Sequence, residues 1–223
     1  MKKKLLIVGT GEFGHIAYEY FTHDSDYEVV GFSAEKEFMT DSVFLGLPVV
    51  PVEDIEKFFS IEEHAVHVAI TFPQLNRVRT RLYNIVKSKG YNLASYISSK
   101  SFVWRNAVIG ENVFIFENNV VQPFVTIGNN VILWSGNHIG HQSIINDNCF
   151  LSSHVVVSGY CEIGENSFIG VNATLKDNIK IGKDNFIRPA SVVLKNTIDN
   201  TMYNGNPAVA YSIPTLEFFK ISE

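Results

Sequence analysis

Seven histidines and one glycine-rich turn hold most of the chemistry that these 223 residues could perform beyond packing. Gly9-Thr10-Gly11-Glu12-Phe13-Gly14 is a complete G-x-G-x-x-G, set between the apolar run Leu5 to Val8 and a helical pattern, with Glu35 about twenty residues further on. Glycines so placed let the backbone approach a pyrophosphate at a helix N-terminus. A tight turn that merely packs helix on strand would use the same glycines, and both readings stand. Among the histidines, His23 adjoins Asp24 and Asp26 in a loop pattern, and His64 and His67 flank a predicted strand where surface or packing roles are expected. His15 opens the first helix and could face a phosphate. His138, His141 and His154 lie in a stretch with a different rhythm.

That rhythm divides the chain near residue 96. Before it, strand and helix patterns alternate: strands at Lys4 to Val8, Tyr27 to Phe32 and Val66 to Ile70, helices at Gly14 to Phe21 and Pro73 to Ser88, and a short acidic helix at Val52 to Phe59. Alternation of this kind implies a parallel sheet covered by helices. About 95 residues suffice for one mononucleotide-binding half, not two, so a nucleotide carrying a sugar is a better expectation than a dinucleotide. A nicotinamide-dependent oxidoreductase is the rival that the glycine turn alone would allow.

After residue 96 the helical period vanishes. Stepping by six from Ile97 through Val103, Ile109 and onward to Ile187 and Val193 meets only Val, Ile or Leu, seventeen times in succession. Four residues after these positions the side chain is usually small or medium, as at Val113, Ser143, Cys149, Cys161 and Ala173. A longer period of eighteen repeats Ile109-Gly110-Glu111-Asn112 at Ile127, Ile145, Ile163 and Ile181. Three hexapeptides therefore make one coil, a triangle of short strands with Gly and Asn at corners that need positive φ, each coil adding about 4.8 Å of height. Cys149 and Cys161 are both inward but twelve residues apart, hence on different faces, so two buried thiols are expected rather than a disulfide. His141 falls two residues past the aliphatic Ile139, at a corner where a side chain projects outward; His138 points outward from the same strand.

The repeat resembles the left-handed parallel β-helix of hexapeptide-repeat acyltransferases. With the preceding domain, the linker Leu93-Ala94-Ser95-Tyr96-Ile97 and the end Asn204-Gly205-Asn206-Pro207-Ala208, nearly the whole chain resembles the sugar acyltransferases related to sialic-acid O-acetyltransferases, in the branch that N-acetylates nucleotide-linked amino sugars. The resemblance implies an α/β plus all-β chain, with a small Rossmann-like parallel sheet domain (1–96) that binds a nucleotide-sugar, a left-handed β-helix acyltransferase domain (97–198) and a C-terminal tail (199–223).

It also implies an acetyl-CoA-dependent N-acetyltransferase acting on a nucleotide-linked amino-dideoxy sugar in bacterial glycan synthesis, working as a homotrimer. Gly136 to Gln142 resembles the family's active-site segment, which makes His141 the general base. An imidazole of ordinary pKa near 6.5 can take a proton from an attacking amine at neutral pH. Where the family often has an acid next, this chain has Gln142, an amide that could fix the imidazole's tautomer; His138 is the runner-up or a substrate-orienting partner. The substrate residues carried over are Gly9, Gly11, Glu12, Phe13 and Gly14 with Ala34, Glu35 and Lys36, to which Asn76 and Arg79 are added at the third helix. Glu12-Phe13 and Ala34-Glu35 depart from the family's Gly-His and paired aspartates. For acetyl-CoA the positions are Gly170, Val171, Arg188, Pro189, Ala190, Asn206 and Pro207, with Lys195 a further cation and a backbone N–H near Gly170 polarising the thioester. No Ser/His/Asp nucleophile arrangement is visible, which favours direct transfer. A sugar O-acetyltransferase with the same base, and a non-catalytic nucleotide-sensing trimer, are the alternatives.

Composition excludes several other classes. With 18 Lys+Arg against 23 Asp+Glu, a formal charge of −5 leaves no basic excess for a nucleic-acid backbone. The apolar run after Lys2-Lys3-Lys4 lasts four residues, too short for a signal or a membrane span, so a cytoplasmic protein is expected. Histidines 138, 141 and 154 lack the eighteen-residue spacing that stacked metal ligands would need, and no metal is expected.

Overall fold

The computed structural model describes residues 2–221 and divides into two compact units, one formed by the chain up to Thr71 with Val78–Tyr96, the other by Phe72–Arg77 with the chain from Ile97. In the first unit, strands β1 (Lys3–Val8), β2 (Tyr27–Ala34), β3 (Val43–Phe44), β4 (Leu47–Pro51), β5 (His64–Val68) and β6 (Asn92–Leu93) form one sheet in the order β3-β4-β2-β1-β5-β6. All neighbours run parallel except β3, which is antiparallel to β4. Helix α1 (Glu12–His23) follows β1 and α2 (Arg77–Ser88) follows β5. Leu5, Leu6, Ile7 and Val8 are 0–1% exposed, as a central parallel strand buried on both faces must be.

The chain departs from the sequence pattern in two places here. The pattern Pro73 to Ser88 does not start a helix until Arg77, because Gln74, Leu75 and Asn76 have φ of 51°, 47° and 68°, a left-handed run that no α-helix accommodates. Residues 52–57 make a 3₁₀ helix, and the strand Leu47–Pro51 before it was not foreseen.

His67 lies inside β5 rather than beside it, 1% exposed, and its Nδ1 is 2.9 Å from the Ala94 carbonyl. Burial pushes its pKa down from 6.5 to about 4; the Ala94 carbonyl opposes this and the Arg79 charge adds to it. The unfolded chain therefore takes up a proton near pH 6.5 and the folded one near pH 4, so stability is full above pH 6.5 and falls as pH drops through that window. At about 1.4 kcal/mol per pH unit the loss approaches about 3 kcal/mol. Urea unfolding at pH 4.5 and pH 7 should show this slope, and His67→Asn, which keeps a donor for Ala94, should flatten it.

The second unit is a triangular coil. Each turn carries three two-residue strands whose second residue points inward, and the inward Ile115, Leu133, Leu151, Ile139, Val157 and Ile145 are all 0% exposed. Parallel pairing at steps of eighteen builds three faces: Phe114–Ile115 to Phe186–Ile187, Phe102–Val103 to Val192–Val193, and Val108–Ile109 to Lys180–Ile181. They are called here the Phe114, His138 and Ile144 faces after an outward residue of each. Every sixth residue from Asn112 (φ 52°) to Ala190 (φ 58°) turns a corner at positive φ. Both cysteines are buried and free, their thiols against the carbonyls of Gly164 and Lys176.

At the corner between the Ile144 and Phe114 faces an amide ladder runs up the coil: Asn112 Nδ2 donates to Asn130 Oδ1 (2.8 Å) and Asn130 Nδ2 to Asn148 Oδ1 (2.9 Å). Asn130 is 0% exposed. Asn130→Ala would remove both of these buried bonds and place alanine at φ 56°, and is expected to cost about 2 kcal/mol, read as a lower urea midpoint at unchanged slope.

The aromatic ladder on the Phe114 face is covered in part by the segment Phe72–Arg77. Phe72 packs 5.2 and 4.8 Å from the stacked rings of Phe150 and Phe168, and Arg77 pairs with Asp184 at 2.6 Å. At the C-terminal end Thr201–Asn204 adds a parallel rung over Phe186–Ile187, and Val209–Pro214 turns back antiparallel, ending the stack.

Candidate active site

In the first unit the glycine turn joins β1 to α1 beside the end of β2, with Gly9 N–H donating to Ser33 O at 2.8 Å. Gly9 has φ 125° and a side chain there would lie 2.6 Å from Ala69 O; one at Gly14 would strike the Gly9 carbonyl. Packing thus explains these two glycines, while Gly11 is open, with nothing within 4 Å of an added methyl. Glu12 is exposed beside it, but Phe13 is 5% exposed and faces the core, so its ring is removed from the ligand set. Beyond β2, Glu35 is held by Arg81 through both carboxylate oxygens (2.5 and 2.9 Å), which lowers its pKa; Lys36 pairs with Asp54 at 2.8 Å.

Asn76 and Arg79 do not serve as expected. Both are 0% exposed; Asn76 Nδ2 donates to Asn166 O at 2.9 Å, and Arg79 donates to the carbonyls of Ile70 and Thr71, fastening the start of α2. Their donors bind this chain's own backbone, not a ligand.

In the second unit His141 and Gln142 occupy the corner between the His138 and Ile144 faces, and both are exposed. His138 is half-buried on the strand that leads into that corner. Among the described residues no group hydrogen-bonds the His141 ring, so the Gln142 amide does not orient it. Its backbone N–H donates to Gln122 Oε1 at 2.9 Å, and its ring is positioned from the coil above. A methyl at Gly159 would lie 2.8 Å from the imidazole Cε1 and Nε2: the ring rests where a side chain would otherwise be. Tyr160 meets it edge to face, centroids 5.0 Å apart at 89°. Gln122, Gly159 and Tyr160 were missed, although each lies eighteen or nineteen residues from His141, within reach of the eighteen-residue step.

The residues expected to hold acetyl-CoA gather at the corner between the Phe114 and His138 faces. Gly170 and Val171 lie one coil from Arg188, Pro189 and Ala190, joined by Ala190 N–H to Val171 O at 2.8 Å. Arg188 is exposed without an acidic partner among the described residues, and Asn206 and Pro207 sit in the exposed loop after the next rung. Gly170 cannot polarise a thioester, since its N–H already donates to Ile187 O at 2.8 Å. The N–H of Gly159, against the His141 ring, has no acceptor among the described residues.

Corner chemistry separates these two corners from the third. Between the Ile144 and Phe114 faces the positive-φ residues are Asn112, Asn130, Asn148, Asn166 and Asp184, side chains that tolerate the conformation. The corner carrying His141 has Phe124 (65°), Gln142 (56°) and Tyr160 (57°) beside Asn178 (58°), and its neighbour includes His154 and Ala190. Each bulky residue so held costs on the order of 1 kcal/mol or more, and such strain gathers at functional sites. His154 itself lies over Gly136, away from the His141 corner.

Among the described residues no group of three or more His, Cys, Asp or Glu is placed to hold a metal, and no helix is long and apolar enough to cross a membrane. Residues 106–141, 126–159 and 160–195 match the family model of the bacterial transferase hexapeptide (six repeats). The class is a small parallel-sheet unit followed along the chain by a left-handed parallel β-helix. Among solved structures the chain is similar to the acetyltransferase domain of PglB from Neisseria gonorrhoeae, at 23% identity over 94% of this chain and 100% of that one, with a TM-score of 0.83. It is also similar to a perosamine N-acetyltransferase from Caulobacter crescentus, solved as a histidine-to-asparagine mutant with CoA and GDP-perosamine, at 22% identity over 94% and 97%, TM-score 0.81. WeeI from Acinetobacter baumannii follows at 20% over 93% and 99%, TM-score 0.71. No curated protein matches the sequence.

Proposed function

We propose that the protein is an acetyl-CoA-dependent N-acetyltransferase that acts on a nucleotide-linked amino-dideoxy sugar. The observation that carries this reading is the His141 corner: an exposed imidazole seated on Gly159, beside a backbone N–H with no acceptor among the described residues. Relatives of the same fold include a perosamine N-acetyltransferase solved with CoA and GDP-perosamine, and a histidine was the residue replaced in it.

The step these residues support is direct. The sugar amine attacks the thioester carbonyl carbon while an imidazole nitrogen of His141 takes its proton. The carbonyl oxygen becomes an oxyanion, to which the Gly159 N–H can donate. The C–S bond then breaks, and the CoA thiolate leaves with the proton from the imidazolium. The open Gly11 turn and the Glu35–Arg81 pair are assigned to the nucleotide, and Arg188 to the CoA phosphates. The His138 and Ile144 faces expose Phe102, Val108, Ile144 and Val156 at 52%, 60%, 42% and 38%, apolar surface that a homotrimer would cover. Thiol release from acetyl-CoA, followed with a disulfide reagent, should depend on an added nucleotide-linked amino sugar; release that ignores the acceptor would contradict the reading.

A further inference from the structure

Of the four positive-φ residues of the catalytic corner, Phe124, Gln142, Tyr160 and Asn178, the first three follow one another at steps of eighteen on successive coils and the fourth is the usual asparagine. Phe124 and Tyr160 are 64% and 51% exposed, large aromatic surfaces presented where the unmodified repeat uses asparagine. Backbone bonds fix both in register: Phe124 N–H donates to Asn106 Oδ1 at 3.0 Å, and Tyr160 N–H donates to His141 O at 2.9 Å. The Tyr160 ring also touches His141. Coil height of about 4.8 Å puts the two aromatic positions roughly 10 Å apart, with Gln142 between them.

Resting on the acceptor class assigned above, we propose that Phe124 and Tyr160 form the sugar platform of this site and select a deoxy sugar, with the Gln142 amide addressing a ring hydroxyl. Aromatic faces pack against the C–H face and methyl group of a 6-deoxy pyranose and gain nothing from a 6-hydroxyl. Gln142 is thereby a binding residue. A neutral amide both donates and accepts, which suits a hydroxyl, and it leaves the amine to His141.

The test uses Phe124→Asn, Tyr160→Asn and the double variant, because asparagine is what the other coils place at this φ. Acceptors are GDP-, UDP- and dTDP-linked 4-amino-4,6-dideoxy sugars and their 6-hydroxy counterparts, with saturation-transfer NMR from protein to the sugar methyl of GDP-perosamine as a second readout. The wild type is expected to favour the 6-deoxy acceptor by roughly tenfold or more in kcat/KM. Each variant should keep or raise its melting temperature, keep KM for acetyl-CoA within about twofold, raise KM for the amino sugar about tenfold and lose the 6-deoxy preference. Variants with unchanged acceptor KM and unchanged preference would overturn the platform, as would a fall in melting temperature with both KM values raised alike. Should the wild type acetylate no amino sugar, the enzymatic reading fails; the platform is then decided by whether methyl saturation transfer is present in the wild type and lost in the variants.

Discussion

His141→Ala is expected to lower kcat by about 10²–10⁴-fold while leaving the melting temperature and the affinity for CoA close to those of the wild type. The size follows from what the side chain does. It takes a proton from an amine that must become nucleophilic as it attacks. The small effect on folding follows from where it sits: His141 is exposed, its ring makes no hydrogen bond among the described residues, and the coil is held by its neighbours' backbone and by inward Ile139 and Ile145. His138→Ala, on the adjoining strand, should cost much less. If it costs as much as His141→Ala, the roles are shared or reversed. Steady-state kinetics with both substrates varied, beside thermal melts, distinguishes these outcomes.

Gly159→Ala should be nearly as damaging to turnover while leaving the fold almost intact. The glycine does not occupy positive φ, so its backbone accepts alanine. The added methyl would lie 2.8 Å from two atoms of the His141 imidazole, and the ring, at the end of a flexible side chain, gives way. Restoring ordinary contact moves it by roughly 1 Å, a misplacement that costs on the order of 100-fold in rate. The expected result is a large fall in kcat, little change in KM for acetyl-CoA and a melting temperature within a few degrees of the wild type. Unchanged turnover would show that Gly159 does not position the base.

Periodicity made the second unit legible and left the site half-drawn. Steps of six and eighteen name every inward residue from Val103 to Val193, and they locate His141 at an outward corner. They do not show what holds its ring, because a glycine that yields space carries no chemistry of its own and reads as one more corner residue. Gly170 looked the better donor in the sequence, yet a sheet partner already takes its N–H. In the first unit the apolar period of Pro73 to Ser88 is real, but it cannot reveal that three residues adopt left-handed φ and carry Phe72 and Asn76 onto the coil. Asn76 and Arg79 illustrate the general difficulty: a polar residue at a helix start reads the same whether it faces a ligand or donates to a buried carbonyl.

In the proposed reaction acetyl leaves CoA for the amine of a nucleotide-linked sugar under the control of His141. NMR of the product formed from acetyl-CoA labelled with carbon-13 in its carbonyl tests it most directly. The expected product carries an amide carbonyl coupled to the nitrogen-bearing ring position, formed by the wild type and lost in His141→Ala. An ester on a sugar hydroxyl, or an amide formed equally well by His141→Ala, would contradict it.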